Sequence, residues 1–250
     1  MRWFGKRVLI EVAIESVADA CAAHAGGADR LELCAALDLG GLTPSLGAYL
    51  EVRAAVVLPV VVMVRPRPGD FVTDDDEARV MARDIEQFLP HHPAGFVFGS
   101  LNPDGRVNVD QCRRLVAAAA GVPCVFHRAF DRCPVPAAAV DTLRDLGFVR
   151  LLTSGREDTA LHGAKAIAAT VAHAAGRVEV LPCGRVRADS VAEVVRQTGC
   201  DQVHGSFAVP RPPREGRGHR GYPAPSVTSE EAVAAARAAL TQLAVGPADV

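Results

Sequence analysis

The chain predicts a (β/α)8 barrel, the TIM-barrel architecture, as one domain over residues 1–250, and three observations carry that expectation. Eight short apolar runs recur along the sequence, each followed by a helix-like segment, at the roughly 22-to-35-residue spacing of repeated βα units. Ionisable side chains gather at the C-terminal ends of those runs, where barrels carry their chemistry. No Gly-x-Gly-x-x-Gly follows the first run, so the competing doubly wound sheet lacks its dinucleotide fingerprint.

The expected strands are residues 8–11, 30–33, 60–64, 95–98, 123–127, 150–153, 178–181 and 202–204. Val60-Val61-Val62-Met63-Val64 is apolar throughout, as a parallel strand covered on both faces requires. Between the runs lie helix signals. Ser16 with Asp19 forms a cap for a helix stopped by Gly26. Thr43-Pro44 puts proline at a first helical position, opening a helix to about residue 56. Thr73 precedes an acidic first turn, Asp74-Asp75-Asp76-Glu77, which suits the positive end of a helix. Further helices are expected from Asn108 to Gly121, over 134–146, over 157–174 and over 188–198. Thr228 with Glu231 forms a capping box for the last one. Residues 210–225 are rich in arginine, glycine and proline and read as a long βα loop after the eighth strand, either a lid or a solvated connection.

Composition narrows the function. With 49% apolar residues among 250 the chain can bury a full-sized core. A net charge of −2 supplies no basic field for nucleic acid. No apolar run approaches the roughly 20 residues of a membrane helix, and the N-terminal residues show no signal-peptide pattern. Seven scattered cysteines read as reduced thiols, so a cytoplasmic location is expected. The only lysines, Lys6 and Lys165, lie before the first strand and within a helical run, which argues against a Schiff-base aldolase.

The strand ends collect Glu11, Glu32, Arg65 with Arg67, His127 with Arg128, Thr153-Ser154, Cys183 and His204. Glu11 and Glu32 end neighbouring strands about 4.8 Å apart, and two carboxylates that close need a cation or donors nearby. Arg65 and Arg67, two apart on one strand face, could supply that charge. A structural ion network, a divalent metal on Glu11, Glu32 and His127, and acid–base groups for a substrate are three readings of this set. At the fifth strand His127 is expected to point inward as an acid–base group and Arg128 toward the rim beside Asp131. Gly184-Arg185-Val186-Arg187 and Gly205-Ser206 follow the seventh and eighth strands, where barrels often bind phosphate. Together Arg65, Arg67, Arg128, Ser154, Arg185, His204 and Ser206 form the expected grip on a small anionic ligand.

With these residues in view, the chain resembles the CutC family of copper homeostasis proteins. The resemblance rests on Glu11-Val12, Gly26-Gly27-Ala28-Asp29-Arg30-Leu31-Glu32-Leu33-Cys34, Gly41-Leu42-Thr43-Pro44-Ser45, Arg65-Pro66-Arg67-Pro68-Gly69-Asp70-Phe71, Phe126-His127-Arg128-Ala129-Phe130-Asp131 and Leu152-Thr153-Ser154-Gly155. It implies a cytoplasmic barrel, usually a homo-oligomer (dimer or tetramer), with copper as its ion. Family members often carry cysteine just after the first-strand acid, where this chain has Val12-Ala13-Ile14. Cys34 keeps the second family cysteine, and Cys183 could restore a thiol at the mouth, making Cys34 with Cys183 the implied copper pair. The alternative is an enzyme in which Glu11, Glu32 and His127 act on a phosphorylated or carboxylated metabolite.

Overall fold

The structure, a computed structural model, describes residues 7–211 and 226–245 of the chain. Strands and helices alternate in the expected order: β1 (Leu9–Ile14), α1 (Val17–Ala25), β2 (Arg30–Leu33), α2 (Leu46–Ala55), β3 (Val60–Met63), α3 (Asp75–Phe88), β4 (Gly95–Phe98) and α4 (Val109–Ala118). There follow β5 (Cys124–Phe126), α5 (Pro136–Leu146), β6 (Arg150–Thr153), α6 (Ala164–Ala174), β7 (Glu179–Pro182), α7 (Val191–Thr198), β8 (Gln202–Gly205) and, last, α8 (Glu230–Val245). The eight strands form one parallel sheet in the order β7-β6-β5-β4-β3-β2-β1-β8. That order is a (β/α)8 barrel whose seam lies between β7 and β8. Gln202 Nε2 crosses the seam and donates to Glu179 Oε2 at 3.1 Å.

Side-chain alternation along each strand divides the core in two. Ile10, Val12, Leu31, Leu33, Val60, Val62, Phe96, Phe98 and Phe126 face the helices in one large cluster. Val61, Met63, Val97, Val125, Leu152 and Leu181 face inward and pack with Cys34 and Cys183 in a second cluster inside the barrel. The inward positions of β1, β2 and β8 are instead polar: Glu11, Arg30, Glu32, Gln202 and His204. The barrel interior therefore has an apolar wall and a polar wall.

Several helix starts differ from the sequence expectation. Ser45, not Thr43-Pro44, caps α2 by accepting from Ala48 N. Asp74 caps α3 in a capping box with Glu77. Thr73 is drawn away, because its hydroxyl donates to Gln111 Oε1 at 2.6 Å and pairs with Ser100. Ser229, one residue later than expected, accepts from Ala232 N at the start of α8. Strand β1 runs three residues past Glu11, so this acid sits in mid-strand and not at the strand end. After β8 the chain forms an antiparallel pair, β9 (Ala208–Pro210) with β10 (Ser226–Thr228), which the sequence pattern did not reveal. The loop expected over 210–225 lies mostly outside the described residues.

The Thr153-Ser154-Gly155 segment has a steric explanation. Gly155 sits at φ +69° against Gly163, and a Cβ on Gly163 would fall 1.9 Å from the carbonyl oxygen of Ser154. Only two facing glycines let the end of β6 meet the start of α6 so closely. Gly163→Ala should therefore destabilise the barrel by about 3 kcal/mol. Urea denaturation checks this, and a loss within experimental error of zero would contradict the close approach.

Candidate active site at the barrel mouth

The C-terminal end of the barrel opens into a cavity of about 350 Å³, within the range of small-molecule sites. Glu32, His204, His127, Cys183, Met63, Leu152 and Ala13 line its walls, and Arg128, Arg185 and Ser206 stand at its rim. Strand register explains the central group. Glu11 of β1 lies opposite Arg30 on one side and His204 on the other, while Glu32 is two residues beyond Arg30 on the same inward face.

The polar wall is a continuous chain of contacts. Glu11 accepts from Arg30 Nε through Oε2 and binds His204 Nδ1 through Oε1 at 2.8 Å. Arg30 Nη2 continues to Gln202 Oε1 at 2.9 Å, and Gln202 continues to Glu179, which pairs with Arg150. On the mouth side His204 Nε2 lies 3.7 Å from Glu32 Oε2, which also accepts from the Cys34 thiol at 3.5 Å. Glu32 is only 3% exposed, and its second oxygen, Oε1, has no hydrogen-bond partner among the described residues.

Burial and charge set the protonation of these groups. Burial works against the Glu11 carboxylate, but Arg30 and the bond from His204 overcome it and hold Glu11 ionised well below the usual carboxylate range. Burial raises the Glu32 pKa, and ionised Glu11 pushes the same way against the opposing pull of His204. Burial alone would lower the His204 pKa, but Glu32 and Glu11 on either side raise it. The centre thus pairs an acid that resists ionisation with an imidazole that keeps its proton.

The other expected residues fall elsewhere. His127 is inward and buried but does not join Glu11 and Glu32. Among the described residues the three metal-ligating side chains that converge, within 4.8 Å, are Glu11, Glu32 and His204. The ligand set expected with His127 is corrected accordingly. Burial, then the charge of Arg65, pushes the His127 pKa down to about 3, so it is neutral and no proton donor to the mouth. Arg65 does not balance the carboxylates either. Its guanidinium is spent on the carbonyls of Leu39, Gly41 and Gly69 and lies over the Phe71 ring. Arg67 pairs with Glu77 and Asp70 outside the cavity. Arg30, which the sequence reading passed over, supplies the charge instead. Its position two residues before Glu32 is the signal that would have found it.

Arg128 bonds Asp131 at 3.1 Å and Ser154 Oγ at 2.8 Å. Ser154 Oγ donates in turn to the Glu157 carbonyl at 2.6 Å. Ser154 Oγ is thus engaged as acceptor and donor, and Ser154 is not among the residues that line the cavity. Arg185, exposed at φ +52°, and Ser206 remain at the rim.

The two thiols of the expected copper pair, Cys34 and Cys183, lie buried together in the inner cluster. Burial lifts the pKa of Cys34 and of Cys183 well above the ordinary thiol value, and the Cys34 thiol is a hydrogen-bond donor to Glu32. A soft ion needs converging thiolates, whereas the atoms that converge here are oxygen and nitrogen. Both oxygens of Glu11 are already engaged, so the free ligand atoms are those of Glu32 and Nε2 of His204.

Comparison with known proteins agrees with the motifs. The model of the CutC family matches residues 8–209. The human copper homeostasis protein cutC homolog is 42% identical over 198 residues, covering 79% of this chain and 72% of its own. A family protein CutC of Caulobacter vibrioides is 40% identical over 242 residues, covering 95% and 98%. A crystal structure of a copper homeostasis protein CutC from Streptococcus agalactiae superposes with a TM-score of 0.77 at 33% identity, covering 80% of this chain and 98% of that one.

Two measurements check the polar wall. Arg30→Leu should destabilise the fold by roughly 3–5 kcal/mol, because it leaves the buried Glu11 carboxylate without its arginine and Oε2 without a donor. Glu11→Leu with Arg30→Leu should recover most of that loss, and additive effects would contradict a direct pair. In an NMR titration His204 should hold its proton above pH 6.5 and release it earlier in Glu11→Gln. The His204 contribution to stability is therefore complete below pH 6.5 and lost as pH rises through its raised folded value. His127 has the opposite sign: its contribution is present above pH 6.5 and lost as pH falls toward about 3.

Proposed function

The chain belongs to the CutC family, and from that premise we propose that its barrel mouth binds a small anionic molecule and performs acid–base chemistry on it. The observation that carries this reading is the unpartnered Oε1 of buried Glu32 beside a 350 Å³ cavity, with Nε2 of His204 3.7 Å from the other oxygen. Glu32, its carboxyl pKa raised by burial and by neighbouring Glu11, is the group that delivers or removes the proton. His204 stands next to it as the charged partner. Glu11 touches no substrate in this scheme; it fixes the imidazole through Nδ1 and leaves Nε2 facing Glu32, as the third member of a triad does. Arg185 and Arg128 at the rim draw the anion in, and Met63 and Leu152 accept its apolar part.

A second reading follows from the family's copper homeostasis members. The oxygen and nitrogen atoms of Glu32 and His204 suit a borderline divalent ion such as copper(II) or zinc(II) better than copper(I). In that case Glu11 holds the ligating imidazole through its other nitrogen. All seven cysteines are unpaired, which supports the reducing cytoplasm as the compartment. The dimer or tetramer is supported by the family resemblance alone.

Thermal-shift assays and calorimetry with a panel of small carboxylates and phosphates, and separately with copper(II), zinc(II) and copper(I), test both readings. The acid–base reading expects at least one anion to stabilise the wild type. Arg185→Ala should bind it about 10-fold more weakly, and Glu32→Gln should fail to turn it over. Copper(II) binding lost in His204→Asn but kept in Cys34→Ser with Cys183→Ser would favour the metal reading. Silence of every anion would remove the enzyme.

A further inference from the structure

Behind the mouth lies a second polar site that the acid–base scheme does not use. A small cavity of about 10 Å³ is lined by Arg65, Phe71, Thr73 and His127 among others. Two of these side chains carry a buried nitrogen without a partner among the described residues, Nε of Arg65 and Nε2 of His127. Their residues are only 6% and 3% exposed, so bulk water does not satisfy them.

The chemistry of the two nitrogens decides what can fill the space. An arginine Nε always carries hydrogen and only donates. His127 Nδ1 accepts from the backbone N–H of Ala129 at 3.3 Å, which puts the lone pair on Nδ1 and the ring hydrogen of the neutral imidazole on Nε2. Both orphans are therefore donors, and neither can satisfy the other. A group that answers both must be an acceptor with two lone pairs, and the volume admits a single oxygen atom.

We infer that Arg65 and His127 form a two-donor pocket for one oxygen acceptor, a water molecule when the mouth is empty and an oxygen of a bound anion when that anion reaches past Phe71. Phe71 is the partition. It stacks on His127 at 4.8 Å between ring centroids, lies under the Arg65 guanidinium at 4.9 Å, and lines both the small cavity and the mouth. The pocket stands on the orphaned donors and holds whether or not the mouth is an enzyme. The oxygen supplies the partner of Arg65 Nε, beside the Nη donors that tie down Leu39, Gly41 and Gly69, and so it holds Phe71 in place as a wall of the mouth.

The test is a high-resolution crystal structure of the full chain, alone and soaked with inorganic phosphate or oxalate, together with nitrogen-15 NMR of the histidines. A single density peak within hydrogen-bond distance of both nitrogens in the unsoaked crystal, with the Nε2–H tautomer of His127, supports the pocket and assigns water. Replacement of that peak by an oxygen of the soaked anion supports it and assigns the substrate side. A dry cavity, or a His127 that carries its hydrogen on Nδ1, overturns it. His127→Phe removes one donor and strands the oxygen, and should lower Tm by roughly 4 °C or more. His127→Gln, which can donate from nearly the same place, should recover part of that shift, and equal losses in the two variants would count against the hydrogen bond.

Discussion

A carboxylate placed in the middle of the barrel interior is the constraint from which the rest of the site follows. Glu11 is 1% exposed and points inward from the centre of β1. An ion buried that deeply costs several kcal/mol unless it is paired and hydrogen-bonded. The partners come from both neighbouring strands, Arg30 from β2 and His204 from β8. Because His204 spends Nδ1 on Glu11, its Nε2 is turned toward Glu32 and the cavity. Because Arg30 also reaches Gln202, the charge chain extends to Glu179 and closes the seam where no ladder joins β7 to β8. One buried charge thereby sets the orientation of the His204 imidazole and the side-chain closure of the barrel.

The order of elements was legible because both faces of strands such as β3 and β4 are buried and apolar, so these read as short apolar runs regardless of face. Val60–Met63 shows this: Val60 and Val62 meet the helices while Val61 and Met63 fill the interior. Helix starts were less legible, since a local run such as Thr73-Asp74-Asp75 offers more than one cap. Tertiary contacts decide, and Ser100 with Gln111 claims Thr73. The site was legible by residue type and only partly by partner. Glu11, Glu32 and His204 were picked out as strand-end polar groups. Arg65 and Arg67 were misassigned because the two-residue alternation holds only inside a strand. Strand β3 ends at Met63, and Pro66 turns the chain away before Arg67. Arg30 was passed over because it opens its run, yet its parity with Glu32 already placed it on the inner face.

The same parity bears on the thiols. Cys34 and Cys183 are inward, at the end of β2 and after β7, and they belong to the apolar wall by packing. A thiol in that setting behaves as a small hydrophobe and keeps its proton. Of Val12-Ala13-Ile14, Ala13 is the residue that lines the mouth. The soft ligands are thus diluted among apolar neighbours while the hard and borderline ligands converge.

What remains to be explained is why Glu32 is kept. Its Oε2 has a thiol and a nearby imidazole, but Oε1 has nothing, and leaving a buried acceptor unmet costs roughly 1–3 kcal/mol. Neighbouring inward positions show that the barrel readily accepts Val, Met or Leu at this depth. A hydrophobic side chain at position 32 would relieve the unmet acceptor and the repulsion from Glu11 together. The burden is concentrated at the floor of the one large cavity at the strand C-termini, next to a charged imidazole held by a dedicated carboxylate. Polar groups that weaken a fold at such a place are paid back by what they bind. No described residue answers Glu32 Oε1, and the acid–base reading assigns that role to a molecule that enters the mouth.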